Sequence, residues 1–195
     1  MFSNKLLELI KNRRSIRKWT EQQVEEEKLE KILISGAYAP TAANTQKVKF
    51  YVIRDAEIVR KVAPCTSPWF RKIFPNRIIV VLFDLNKPHP LNINVNEVHF
   101  GWSRFIWQDT AAATMSMLLM SEALGLSACW VSISPPEICD LAQKVKDILK
   151  IPNGYIITGF VFLGYGNEKV DINTAIHQKV LVKRDVESTI LKTFK

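Results

Sequence analysis

The sequence is short of the residues that mark several common protein classes. It has only seven glycines and nine prolines in 195 residues, which is too few for a collagen-like or low-complexity chain. The three cysteines, Cys65, Cys129 and Cys139, are odd in number and form no C-x-x-C pair, so no disulfide framework is expected. These scarcities favour one ordered domain over residues 1–195 in a reducing compartment, and we expect a cytoplasmic location.

Several functional motifs are also absent. The longest aliphatic runs, such as residues 78–83, are far too short to span a bilayer. The chain contains no G-x-G-x-x-G, G-x-x-x-x-G-K-S/T or G-x-S-x-G sequence, which argues against a Rossmann enzyme, a P-loop NTPase and an α/β-hydrolase. His89, His99 and His177 lack the spacing of metal ligands, so no metal site is expected. If this chain is an enzyme, a cofactor is expected to carry its chemistry.

The charge is strongly one-sided, with a formal net charge of +8. Such a field attracts nucleic acid, an anionic membrane or an acidic cofactor through the same long-range forces. The only dense basic cluster is Arg13, Arg14, Arg17 and Lys18, while the other cations are scattered among acids. We therefore expect no nucleic-acid and no membrane partner. A basic nucleic-acid-binding module remains an alternative, and it predicts a colourless protein with strongly salt-dependent binding.

Hydrophobic spacing and capping signals predict five helices and four strands. A capping box at Thr20 and Gln23 places the start of the second helix near residue 21. Asp55 is expected to cap the third helix, and residues 134–137 to begin the fifth. The predicted helices cover about residues 3–12, 21–37, 55–63, 99–124 and 135–149, and the predicted strands cover about 48–53, 78–83, 128–133 and 155–163.

A basic segment follows the first predicted helix. Arg13, Arg14, Ser15 and Arg17 bring three guanidinium groups and a hydroxyl within five residues. Arginine offers paired donors in a fixed fork, so the segment can chelate a phosphate. The alternative is a solvated basic helix end that the helix dipole favours.

A second segment, residues 39–46, joins the second helix to the first strand with small and amide-bearing side chains. Its candidate binding residues are Pro40, Thr41, Ala42, Asn44 and Gln46. Short side chains let a flat ligand approach the backbone, and the two amides can each donate and accept hydrogen bonds. The alternative is an ordinary helix-to-strand connection.

Taken in order, these segments resemble the nitroreductase family of FMN enzymes. The similar features are an Arg-Arg-Ser-x-Arg stretch at 13–17, a Pro-Thr-x-x-Asn-x-Gln loop at 40–46, Asp109 with alanines on a long helix, Leu-Gly-Leu with Cys-Trp at 124–130, and Leu-Gly-Tyr at 163–165. The chain departs from the family pattern at Lys47 and Val48, where Pro-Trp is usual, and after Trp130, where glycines are usual.

The resemblance implies an α+β fold, a mixed sheet flanked by helices, in an intertwined homodimer with two FMN sites at the subunit interface. The cofactors implied are FMN and, as electron donor, NADH or NADPH. The implied activity transfers reducing equivalents to a small organic acceptor, such as a nitroaromatic or quinone, by a ping-pong mechanism. A flavin-binding protein of the same fold without reductase turnover is the alternative.

The resemblance also assigns residues to the cofactor. Arg13, Ser15 and Arg17 would hold the phosphate or the pyrimidine edge, with Arg14 contributing backbone, and Lys179 would complete the phosphate site. The 40–46 loop would contact the isoalloxazine, partly from the partner subunit. Trp130, Val131, Ser132 and Ile133 would lie along the ring with a backbone N–H facing N5, and residues 167–195 would form a C-terminal extension against the partner. Cys129 is expected to be a buried apolar residue rather than a nucleophile.

Overall fold

The structure is a computed structural model that describes residues 2–66, 74–87, 103–133 and 140–167. Its helices are α1 (Phe2–Asn12), α2 (Glu26–Ala37), α3 (Ala56–Thr66), α4 (Ser103–Ala123) and α5 (Leu141–Leu149). Its strands are β1 (Val48–Ile53), β2 (Arg77–Asp84), β3 (Ser127–Ser132) and β4 (Tyr155–Gly164). A short 3-10 turn over Ala42–Asn44 precedes β1. The predicted α+β class is confirmed.

The four strands form one sheet in the order β1-β2-β4-β3, and every neighbouring pair is antiparallel. The expectation of a mixed sheet is therefore not met among the described strands, where parallel pairing is limited to an isolated bridge between Ser15 and Ala128. The reason lies in the strand order. Helix α4 joins β2 to β3, and these two strands run parallel to each other, as strands joined by a helical crossover do. Strand β4 lies between them and runs in the opposite direction, so no two neighbouring strands are parallel.

Helices cover both faces of the sheet. On one face, α3 and α5 pack on a core that includes Ile78, Val80, Phe160 and Phe162. On the other face, α2 and α4 pack on a second core, whose strand residues are Ala128, Ile79, Val81, Val161 and Leu163. Strand β2 is consequently buried along nearly its whole length, as its continuous apolar run predicted. No helix of the described ranges combines the length and the apolarity that crossing a membrane requires.

Helix α2 begins later than its capping signal predicted. It starts at Glu26 rather than near residue 21, and the Thr20 capping box is wrong. The backbone N–H of Thr20 instead donates to the carbonyl of Tyr165, and the N–H of Val24 donates to the side-chain oxygen of Asn76. These tertiary bonds, together with burial of the Val24 side chain, hold residues 20–25 in a non-helical path. Asp55 does cap α3, and residues 134–137 lie outside the described residues.

Helices α2 and α4 approach closely at Gly36. A Cβ atom at this position would stand 2.7 Å from Cζ of Phe50 and 2.9 Å from Cγ of Met117, which is closer than non-bonded carbons approach. Met117 is fully buried, so its side chain has little room to move away. The glycine therefore fixes how near α4 lies to α2 and β1.

We expect Gly36→Ala to destabilise the protein. Helix propensity alone would make alanine more stable by about 1 kcal/mol, whereas overpacking a filled core costs about 1–3 kcal/mol. The net loss should appear as a lower midpoint in urea unfolding. In a Met117→Ala background, which opens space at this point, the same change should cost less. A gain in stability from Gly36→Ala alone would show that the helices can separate freely here.

Candidate functional site

The basic segment is fixed on the outer side of β3. The backbone N–H of Ile16 donates to the carbonyl of Ala128 at 3.2 Å, and Ser15 forms the parallel bridge with the same residue. A little further on, the indole N–H of Trp19 donates to the carbonyl of Ser127 at 3.3 Å. The backbone of this segment is thus hydrogen-bonded to the sheet, which a solvated helix end would not be.

The arginine side chains of this segment take different directions. Arg14 donates to the carbonyl of Lys11 and, at 2.9 Å, to that of Arg13, so it folds back on the end of α1. Arg17 donates to the carbonyl of Ser15 at 3.2 Å and remains exposed. The structure therefore separates Arg14, which serves the local backbone, from Arg17.

Three of the predicted phosphate ligands act on Cys129. Burial raises the pKa of its thiol, while the charges of Arg17 and Arg13 and a hydrogen bond with Ser15 act in the opposite direction. Ser15 and Arg17 are therefore close to the thiol of Cys129, and the charge of Arg13 also acts on it. Cys129 is fully buried in the core, which confirms the prediction of a buried apolar residue, and a raised thiol pKa disfavours the thiolate that a nucleophile needs.

The outer edge of β3 offers backbone groups beside this cluster. Because the carbonyl of Ala128 faces outward to Ile16, strand alternation turns the N–H and C=O of Trp130 and Ser132 to the same outer side. The N–H of Val131 faces inward, where Val131 is paired with Phe160 of β4. Among the paired residues of β3 that were predicted to line the flavin, Trp130 and Ser132 therefore have N–H groups on the outer side, where a ligand could accept from them.

The side chains of β3 alternate as its backbone does. Trp130 is 42% exposed, and its indole lies over Gly159, where an added Cβ would stand 3.1 Å from the indole nitrogen. Val131 is buried, and Ile133 packs against the core formed with α3 and α5. Of the four residues predicted to line the ring, Trp130 and Ser132 thus present side chains to the exterior, and Val131 and Ile133 face the core.

The loop over residues 40–46 has an unusual backbone. Ala43, Asn44 and Gln46 have φ angles of 48°, 53° and 50°, in the left-handed region that side-chain-bearing residues seldom adopt. The side-chain oxygen of Thr41 accepts a hydrogen bond from the N–H of Gln46 at 3.1 Å. Such local strain is characteristic of ligand sites and needs support from the surrounding structure.

The two amides of the loop contact each other. The side-chain nitrogen of Gln46 donates to the side-chain oxygen of Asn44 at 3.1 Å, and both residues are exposed. This bond engages one polar group of each amide. Asn44 therefore has a structural role within the loop. The sequence alone could not distinguish this role from the predicted contact of Asn44 with the flavin.

Asp109 of α4 reaches the loop from the core. One of its carboxylate oxygens accepts a hydrogen bond from the N–H of Ala42 at 3.0 Å. The other is buried and has no hydrogen-bond partner among the described residues. Burial raises the pKa of Asp109, and the bond from Ala42 opposes that shift. Sequence reasoning missed this contact, although an acid within an alanine-rich and methionine-rich helix was its visible signal.

Two lysines lie at the far end of the loop. Lys47, which replaces the usual proline, is buried, and its ammonium lies 6.0 Å from the centre of the Phe83 ring. Burial lowers the pKa of Lys47, and the nearby charge of Asp84 partly offsets this. The Lys87 ammonium donates to the carbonyl of Gln46 at 3.1 Å. These lysines add positive charge at the point where the loop enters β1.

The loop and the basic segment lie at opposite corners of the sheet. They adjoin β1 and β3, the two outer strands, which are separated by about 14 Å across three strand spacings. Along the strands, the start of β1 is level with Ile156 and Ala128 is level with Leu163, a further separation of about 23 Å. One chain therefore does not bring the two predicted parts of the site together.

Some predicted features lie outside the described residues. They include Lys179, the extension from residue 168 onward, and Cys139. Within the described ranges, Cys129 is a free thiol. The same ranges contain no cluster of three histidine, cysteine or acidic side chains suited to a metal ion.

Comparison with known proteins gives a consistent result. The family model described as "Nitroreductase family" matches residues 10–75 and 101–165. A protein of Archaeoglobus fulgidus is 32% identical over 173 residues, covering 87% of this chain and 90% of the relative. One of Methanothermobacter thermautotrophicus is 28% identical over 163 residues, covering 84% and 78%. Both carry the name "Putative NADH dehydrogenase/NAD(P)H nitroreductase".

Solved structures show the same fold. An "FMN-dependent Nitroreductase" of Clostridium difficile is 25% identical with a TM-score of 0.70, covering 91% of this chain and 98% of the other. A structure from Desulfovibrio desulfuricans, described as a "putative nitroreductase in complex with fmn", is 25% identical with a TM-score of 0.72, covering 97% of both chains.

Proline substitution tests the assignment of the outer N–H groups on β3. Ser132→Pro should cost little stability because its N–H faces away from β4, whereas Val131→Pro should cost about 1–3 kcal/mol more because it leaves a buried carbonyl of β4 without its donor. Urea unfolding of the two variants gives the comparison. Equal losses, or a larger loss for Ser132→Pro, would reverse the assignment of inner and outer groups.

Proposed function

Because this chain belongs to the nitroreductase family, we propose that it uses FMN to pass reducing equivalents from NADH or NADPH to a small organic acceptor, such as a nitroaromatic or quinone, by a ping-pong mechanism. The prediction of the family is confirmed by the family model and by the 32% identical relative. The names of the similar proteins, which include NAD(P)H nitroreductase and FMN, confirm the predicted class, an FMN-dependent oxidoreductase, and the predicted cofactors. The acceptor and the ping-pong order are our proposals.

The observation that carries the proposal is the position of the basic segment on β3. The segment is bridged to Ala128, Ser15 and Arg17 are close to Cys129, and the charge of Arg13 acts on the same thiol, next to outward N–H groups of the same strand. Guanidinium groups suit a phosphate or the oxygen-rich pyrimidine edge of a flavin, and an N–H suits its N5 acceptor. We assign these three residues to FMN, with Arg14 shaping the backbone from α1 and the N–H of Trp130 or Ser132 directed to N5.

The 40–46 loop supplies the second half of the proposed site. Its small residues Pro40, Thr41 and Ala42 leave the backbone accessible to a flat ring, and its two amides stand exposed. We propose that Asn44 and Gln46 meet the isoalloxazine edge. Lys179 remains proposed as a late phosphate ligand.

The separation of the two halves supports a homodimer with shared sites. A second copy related by a two-fold axis could place its loop beside the basic segment of the first, and the reverse, which would generate two equivalent sites. The surface offers apolar residues for such contact. These are Leu6, Leu7 and Ile10 of α1, and Trp107 and Met115 of α4, all more than a third exposed. We propose that α4 and residues 167–195 contact the partner.

Bound FMN would supply the redox chemistry by accepting a hydride from the nicotinamide and passing its two electrons to the acceptor. The chain's contribution is to fix the ring, to offer one open face to donor and acceptor in turn, and to stabilise negative charge near the pyrimidine edge, for which the exposed cation of Arg17 is suited.

Two alternatives have distinct outcomes in solution. A flavin-binding protein without turnover would be yellow but would not oxidise NAD(P)H continuously when nitroaromatic or quinone acceptors are present. A nucleic-acid-binding module would be colourless and would lose affinity steeply with salt. We propose a cytoplasmic reductase without nucleic-acid or membrane partners, which agrees with the free thiol of Cys129 and with the acids interspersed among its cations.

Anaerobic mixing of the FMN-loaded protein with NADH or NADPH tests the proposal. We expect the flavin absorbance to bleach, and to return when a nitroaromatic or quinone is added after the nucleotide has been removed. Recovery in this order requires that the donor leave before the acceptor reacts, as a ping-pong mechanism demands. Failure of both nucleotides to bleach the flavin would contradict the reductase, and recovery only with nucleotide still bound would contradict the ping-pong order.

A further inference from the structure

We propose that Asp109 is a positioning residue, which anchors the 40–46 loop to helix α4 and so holds the loop in the conformation that contacts the flavin. This inference rests on the proposed function for its second half, the contact with FMN. Its first half, the anchoring of the loop, concerns the protein alone.

The placement of Asp109 is costly and specific. The residue is 5% exposed, and one of its carboxylate oxygens is buried without a hydrogen-bond partner among the described residues. A buried carboxylate is tolerated where its hydrogen bonds do something that an apolar residue cannot. Here the other oxygen accepts the N–H of Ala42 at 3.0 Å and connects two segments 67 residues apart.

The loop needs such an anchor. Immediately after Ala42, three residues with side chains, Ala43, Asn44 and Gln46, adopt left-handed φ angles. Gln46 donates two hydrogen bonds within the loop, from its backbone N–H to the Thr41 side chain and from its side-chain nitrogen to Asn44, and these close the loop on itself. They do not attach it to the sheet or the helices. At the far end of the loop, the Lys87 ammonium donates to the carbonyl of Gln46. The Asp109 bond attaches the loop to α4 at the residue where the unusual backbone begins, so it can fix both the position and the conformation of this end of the loop.

The anchor also explains why a side chain with a hydrogen-bond acceptor occupies this helix position. Its neighbour Thr110 is buried and bonds within α4, to the carbonyl of Ile106, as polar residues in helices commonly do. Asp109 instead directs its hydrogen bond out of the helix. A side chain with one acceptor at this reach satisfies the requirement, and a branched apolar side chain of similar size does not.

Three variants separate anchoring from general stability. Asp109→Asn keeps the shape and one acceptor oxygen for Ala42, and Asp109→Leu removes the acceptor. Thr114→Val is the matched control, because Thr114 is a buried polar residue of α4 whose hydroxyl bonds within the helix, to Thr110. Ala42→Pro removes the donor from the other side without altering α4, and Thr41 has extended angles of −129° and 147° that can precede a proline.

The first measurement is amide hydrogen exchange of the apo-protein. We expect exchange at residues 43–46 to be at least about tenfold faster in Asp109→Leu and Ala42→Pro, since the hydrogen bond that attaches the loop to α4 is lost. Asp109→Asn and Thr114→Val should leave the exchange of these residues near that of the wild type. Unchanged exchange in the loop of both Ala42→Pro and Asp109→Leu would overturn the anchor. If Asp109→Leu does not fold, unchanged exchange in Ala42→Pro alone would overturn it.

The second measurement is FMN affinity by fluorescence titration. Asp109→Leu and Ala42→Pro should bind FMN at least about tenfold more weakly, and Asp109→Asn should restore most of the affinity. A loosened loop with unchanged FMN affinity would overturn the positioning role. A wild-type protein that does not bind FMN would instead overturn the proposed function, and the exchange result would still decide the anchor.

Discussion

Strands β2 and β4 are buried on both faces of the sheet, and this burial determines where polar residues can lie. These central strands are covered by α3 and α5 on one side and by α2 and α4 on the other, so they carry apolar side chains along their length. The polar segments of the candidate site therefore adjoin the outer strands, β1 and β3. The basic segment attaches to the free side of β3, and the loop of left-handed residues leads into β1. The two candidate half-sites are thus placed at opposite corners by the same strand order that builds the core.

Much of this fold was predictable because its signals are local. The buried run at residues 78–83, the Asp55 cap and the strands near 48 and 128 followed from periodicity and capping. The start of α2 was not predictable from local signals, because Thr20 and Val24 form tertiary hydrogen bonds that replace the predicted cap.

The candidate site divides in the same way. Residue types identified the basic segment and the amide loop, and the order of motifs indicated the family. Three features depend on pairing between distant segments, which no local pattern reveals. They are the inward direction of the Val131 N–H, the bond between Asp109 and Ala42, and the distance between the two half-sites.

Complementation between two defective chains tests the shared site most directly. One chain carries Arg13→Ala and Arg17→Ala; the other carries Asn44→Gly and Gln46→Gly, which delete the amides while glycine tolerates the left-handed backbone. Each homodimer should bind FMN weakly. A heterodimer isolated with two different tags would contain one site built only from unaltered segments, so it should bind one FMN with near wild-type affinity. A heterodimer as deficient in FMN as either homodimer would contradict a site shared between subunits.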